Sequence, residues 1–179
     1  GTLPNLCDVI FEIDNKTVTH RPDLWGHRGF ARELAALFSR ELKPLDVASQ
    51  LVAGDAGPTI DLEDTEGCPL YGGLCVDDAP QRSPDWMRFR LVACGMRPLF
   101  HLVDVSNYVM LELGQPTHPF DRDHLKGDRI VVRAAQKGEM ITTLDEEVRV
   151  LDAEDLVIAD GEQPVALAGI MGSAQAEVT

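Results

Sequence analysis

The stretch Asp104–Asp121, DVSNYVMLELGQPTHPFD, sets a short apolar helix between two polar, hydrogen-bonding ends. Val105, Tyr108, Val109, Leu111 and Leu113 recur at helical spacing, and Gly114 follows as a residue suited to the left-handed conformation that closes a helix. Pro116 forbids continuation. His118 therefore stands in a constrained loop just past the helix. Phe120 is available to anchor that loop, and Asp121 is close enough in sequence to orient or charge-balance an imidazole. So many Asp, Ser, Asn, Gln and His side chains exceed what a core needs, and loops of this kind place chemistry.

Upstream, Asp8–Ile13 reads as an apolar-rich strand and THRPD as a turn, with Pro22 and Asp23 starting a helix from about Leu24 to Arg40. Leu24, Ala31, Leu34, Ala35 and Phe38 fall on one face of that helix, and Gly26 and Gly29 allow close backbone contact. Asp46–Gly57 is small and polar and reads as a loop. Leu70–Val76 reads as a strand. Ser83, Pro84 and Asp85 signal a second helix through Trp86, Phe89 and Val92, stopped at Gly95. Beyond residue 128 the pattern turns to short strands, RIVVR, MITTL, EVRVL, LVIAD and PVALAG, separated by KGE, DEE, DAED and GEQ turns. Three helices followed by close-spaced strands predict an α+β fold.

Composition bounds the rest. The chain has 179 residues, 44% of them hydrophobic, enough for one well-buried core and one large domain. No apolar run reaches membrane-spanning length, and GTLPNLCDVIFEID lacks the basic start of a signal peptide, so the expected location is the cytoplasm. Cys7, Cys68, Cys75 and Cys94 form no CxxC pair and are expected as reduced, mostly buried thiols. The acidic runs DLEDTE and LDAED lack calcium-loop order, so no metal site is expected. A net charge of −14 opposes a broad phosphate-binding face. The one basic concentration is Arg82, Arg88, Arg90 and Arg97, opposed between those positions only by Asp85; it reads either as a solvated helix face or as a local basic rim.

The stretch that opens this reading resembles the central tRNA-editing domain of bacterial phenylalanyl-tRNA synthetase beta subunits, whose members read approximately VDVTNYVxxELGQPxHAFD. Four further segments agree in the same order: FEIDNKTVTHRPDLWGHRGFAREL (Phe11–Leu34), CGMRP (Cys94–Pro98), LVIADG (Leu156–Gly161) and ALAGIMG (Ala166–Gly172). The resemblance spans almost the whole chain. It implies a layered β/β/α domain with packed, mainly antiparallel sheets and helices on one side, built from the family's third and fourth modules. Residues 1–179 would then be a single tRNA-editing domain taken from a larger beta subunit.

The same resemblance implies roles for particular residues. His118 would line the editing pocket as the catalytic candidate, with Ser106, Asn107 and Gly172 as substrate-binding candidates. Ser106 stands where the family usually has Thr and keeps the hydroxyl, Pro119 replaces the usual Ala and stiffens the loop, and Ser173 replaces a second glycine and narrows the entrance. A pocket glutamate expected in a later strand has no counterpart before Thr179. Taken from the residues alone, the favoured reading of His118 is a structural histidine and that of the glycine run a tight turn, since no Lys-Ser or Lys-Thr follows it as in a phosphate loop. His20, Arg21 and Asp23 are expected to serve structure, Asp23 as a helix cap and Arg21 by tying the turn to carbonyls. His27, His101 and His124 carry no motif.

The implied reaction is hydrolysis of the ester that joins tyrosine to a tRNA meant for phenylalanine, within an enzyme that ligates phenylalanine to tRNA. No nucleophile elbow or Cys–His pair is visible, so water is the expected nucleophile, activated by His118 or by the substrate's ribose hydroxyl. No cofactor is implied in this domain; ATP and magnesium would serve a separate catalytic subunit. The implied partners are the tRNA acceptor end and an alpha subunit, in an alpha2beta2 enzyme, with no DNA and no membrane. The alternative is a non-catalytic scaffold that docks subunits or tRNA.

Overall fold

The computed structural model describes residues 9–45, 57–77 and 79–178. They divide into two compact units, one drawn from Gly1–Val47 and Ala79–Thr117, the other from Ala48–Asp78 and His118–Thr179. All three α-helices fall in the first and both sheets in the second, which is the α+β class expected.

The helical unit contains α1 (His27–Leu37), α2 (Asp85–Ala93) and α3 (His101–Leu113). α3 starts three residues earlier than Asp104 and ends where expected, with Gly114 left-handed at φ 75. α2 begins after Pro84 and ends before Gly95, also left-handed at φ 80. The first helix is corrected: Pro22–Leu24 forms a separate 3-10 turn, and α1 begins only after Gly26. Its glycine side packs, because a Cβ on Gly29 would lie 1.5 Å from the Asp23 carbonyl oxygen. Of the expected apolar face, Leu24 is buried, but Leu34 and Phe38 stay outside, 48% and 64% exposed.

Asp23 is not a cap. Its carboxylate accepts from Arg21 at 2.8 Å and Arg32 at 2.6 Å, and Arg21 also reaches Glu33 at 3.0 Å. Arg21 thus pairs with carboxylates rather than carbonyls, and two guanidiniums hold the Asp23 carboxyl well below its ordinary range.

α2 is joined to α3 through Asp104, which is completely buried. It accepts from the Ser83 hydroxyl at 2.6 Å and the Leu99 backbone N–H at 2.7 Å, and so ties the start of α2 to the first turn of α3. Asp104→Ala would leave both donors unsatisfied in a packed interior, and is expected to cost about 2–4 kcal/mol, read as a lower denaturant midpoint. An unchanged midpoint would contradict this account of the joint.

The second unit holds β1 (Thr59–Leu62), β2 (Arg129–Ala134), β5 (Leu156–Ala159), β6 (Pro164–Leu167) and β7 (Met171–Gly172) in one sheet of order β1-β2-β5-β6-β7. β3 (Met140–Thr142) and β4 (Val148–Val150) form a separate two-stranded sheet. All ladders are antiparallel except β1 with β2. Apolar residues run without alternation in β2 because both faces are covered: Ile130, Val131 and Val132 are all buried. Ile130 and Val132 join Leu125, Val165 and Ala176 in one cluster; Val157 joins Ala135, Ile141 and Leu151 in another. Each such side chain contributes about 1.5–3 kcal/mol of transfer free energy.

Two expected strands are corrected. Residues 9–13 have no regular structure, with Ile10 and Phe11 64% and 83% exposed, and Asp8 lies outside the described residues. Leu70–Val76 likewise belongs to neither sheet, and Leu70 and Leu74 are 86% and 71% exposed. Apolar composition makes a strand only where a neighbour supplies the ladder. β1 was not expected, and the loop read at Asp46–Gly57 lies, apart from Gly57, outside the described residues. Cys68 and Cys75 are free and half-buried, while Cys94, at the solvent end of α2, is free and exposed, against the expected burial; Cys7 lies outside the described residues.

Candidate functional site

His118 and Gly172 come together within the strand unit. Gly172 sits at the end of β7, and a Cβ built on it would lie 2.4 Å from both Cε1 and Nε2 of His118. Only glycine lets the imidazole lie against this strand. The other neighbour is Phe120, whose ring centroid is 4.7 Å from that of His118 at 65°, so Phe120 anchors the loop as expected. The rest of the His118 side chain remains open to solvent. Packing on Gly172 and Phe120 strips water from part of the ring and lowers its pKa below the ordinary 6.5, which keeps the imidazole neutral, and able to accept a proton, at neutral pH.

Asp121 does not face His118. Its carboxylate accepts from the Asp123 N–H at 3.0 Å and lies 3.9 Å from Nδ1 of His124, so it organises the next turn. A residue that sequence reading missed is Leu144: its N–H donates to the Gly172 carbonyl at 3.0 Å, and its side chain stands 3.5 Å from the position of a Gly172 Cβ. Nothing in MITTL distinguishes it. Ser173 is 1% exposed, and its hydroxyl has no hydrogen-bond partner among the described residues, so it is packed inside rather than set at an entrance.

Ser106 and Asn107 lie on α3 in the helical unit. The Ser106 hydroxyl donates to the Thr117 carbonyl at 2.6 Å and accepts from the Thr117 hydroxyl at 2.9 Å. It is therefore committed to holding the residue that precedes His118 in the chain. Asn107 is half-buried, and its amide has no partner among the described residues. His27 donates to the Leu111 carbonyl at 2.8 Å, and His101 lies 3.4 Å from the Ser83 hydroxyl; both serve the helical packing. Asp160, in LVIADG, is buried and accepts from the N–H groups of Lys126, Glu162 and Gln163, which makes that motif a turn organiser.

Among the described residues no three His, Cys, Asp or Glu side chains gather to hold a metal, and no helix is long and apolar enough to cross a membrane. The family model described as the B3/4 domain matches residues 67–179, and the chain belongs to that family.

The relatives are more particular. The chain is 46% identical to the phenylalanine–tRNA ligase beta subunit of Solibacter usitatus over 166 residues, 92% of this chain. It is 46% identical to that of Nitratidesulfovibrio vulgaris over 176 residues, and 41% identical to that of Fusobacterium nucleatum over 177, covering 96% and 97% of this chain. In each case the match spans 22% of the relative's length. The resemblance read from the five segments is borne out.

Proposed function

We propose that this chain is the editing part of a phenylalanine–tRNA ligase and hydrolyses the ester of tyrosine wrongly attached to the phenylalanine tRNA. The observation that carries this reading is the imidazole of His118, neutral, partly desolvated and seated on Gly172, where any Cβ would displace it. The arrangement leaves a ring nitrogen for a water molecule and no side chain from Gly172 in its way. Water attacks the acyl carbon as its proton passes to His118. The ester bond then breaks, and the ribose oxygen that leaves takes the proton back, giving tyrosine and free tRNA.

Ser106 holds the chain leading to His118. Discrimination would rest on the phenolic hydroxyl, the only group by which tyrosine exceeds phenylalanine; a site that hydrogen-bonds it can separate the two by large factors. ATP and magnesium belong, in this reading, to an alpha subunit, and no step here passes through either. The tRNA acceptor end and that alpha subunit are the proposed partners, and the cytoplasm the proposed location.

The test compares tyrosyl- and phenylalanyl-esters of the same tRNA on the ligase that carries this chain. Tyrosine should be released in large excess over phenylalanine. Equal release of both, or none of either, rejects the reading.

A further inference from the structure

The exposed side of α2 has chemistry that the packing of the helices does not require. α2 turns Met87 and Leu91, 7% and 0% exposed, into the interior. On another side stands Trp86, 50% exposed, with Arg90 one turn further along. The Arg90 guanidinium lies 5.3 Å from the Trp86 ring centroid and donates to the Tyr108 hydroxyl at 2.5 Å. Trp86 and Tyr108 meet edge to face, with centroids 5.4 Å apart at 90°. The result is an indole braced on one edge by a phenol and covered in part by a cation, with half its surface left to solvent.

The cation against it has no carboxylate partner among the described residues. Arg82 is spent on Asp85 at 2.6 Å, but among the described residues no carboxylate pairs with Arg88, Arg90 or Arg97. In a chain of net charge −14, which holds most of its other arginines in ion pairs, a guanidinium without a carboxylate beside an exposed aromatic face suits an external partner with two properties: fixed negative charge and a flat ring. Unpaired nucleotides have both, because a single strand presents phosphates to arginine and base faces to aromatic side chains. A duplex keeps its base faces stacked inside, and an acidic peptide supplies charge without rings.

We propose that Trp86, Arg90 and Tyr108 form a docking surface for an unpaired RNA strand. The choice of RNA rests on the tRNA-editing reading; the aromatic and cationic surface does not.

The experiment titrates the 179-residue chain into a labelled, unstructured RNA oligonucleotide, with tryptophan quenching as a second signal. Binding should weaken about tenfold in Trp86→Ala and again in Arg90→Ala, as for the loss of one stacked base. Trp86→Phe should retain most of the affinity, and thermal melts should show each variant folded. Arg82→Ala, whose guanidinium is already paired, and Trp25→Ala, an exposed tryptophan without a cation, should bind like the parent. No binding, equal binding by Trp86→Ala, equal affinity for a hairpin duplex, or competition by polyglutamate as strong as by RNA would each overturn the proposal. Tyrosyl-ester hydrolysis is assayed on the ligase that carries the parent chain and each variant. Hydrolysis with RNA binding that ignores Trp86 and Arg90 removes this surface alone, whereas the expected RNA binding without hydrolysis removes the editing reading alone.

Discussion

Gly29→Ala is expected to melt the helical unit roughly 10 °C below the parent chain. The added methyl would stand 1.5 Å from the carbonyl oxygen and 2.5 Å from the carbonyl carbon of Asp23, both backbone atoms. No rotamer change relieves such a contact. Either α1 moves off the Pro22–Leu24 turn or the turn opens, and both break the Arg21–Asp23–Arg32 pairing that spans them. Overpacking with a forced backbone shift costs about 3 kcal/mol or more. Circular dichroism against temperature measures it, and a melt within a degree or two of the parent would show that α1 does not pack on its glycine side.

Gly172→Ala should do the opposite: leave stability nearly intact and remove activity. Its Cβ would again come too close, at 2.4 Å, but to Cε1 and Nε2 of His118, the far end of a side chain that can rotate away. The strand persists while the imidazole leaves its place. A catalytic group displaced by about 1 Å loses about 100-fold in rate, so tyrosyl-ester hydrolysis should fall by that order with little change in melting temperature. A folded alanine variant with parental hydrolysis would mean that the contact between residues 118 and 172 has no part in the chemistry.

The two glycines illustrate what the sequence makes legible. Stops at Gly95 and Gly114 could be read because each ends a helix in the left-handed conformation, a local requirement. The strands from Arg129 to Leu167 could be read because β-branched runs alternate with turn residues at close spacing. What failed was set by partners distant in the chain. Thr59–Leu62 becomes a strand only because Arg129–Val132 lies beside it in parallel, and Leu70–Val76, more apolar, finds no ladder. In the candidate site, the loop that carries His118 and its Phe120 anchor were legible as motifs. Gly172 as the seat of the imidazole, Ser106 as a clamp on Thr117, and Asp121 turned towards His124 depend on contacts that spacing does not encode.

In this site the chemistry depends on His118. Single-turnover hydrolysis of the tyrosyl ester should be followed from neutral to acidic pH for the parent chain in its ligase and for His118→Ala. Because partial desolvation depresses the pKa, the neutral base persists below the ordinary 6.5, and the parent rate should hold through that pH and fall only on further acidification. His118→Ala should be slower by at least about 100-fold and should lose that acid limb, with phenylalanine activation unchanged. A His118→Ala enzyme that clears tyrosyl-tRNA at the parental rate would make His118 a structural residue and contradict the assignment.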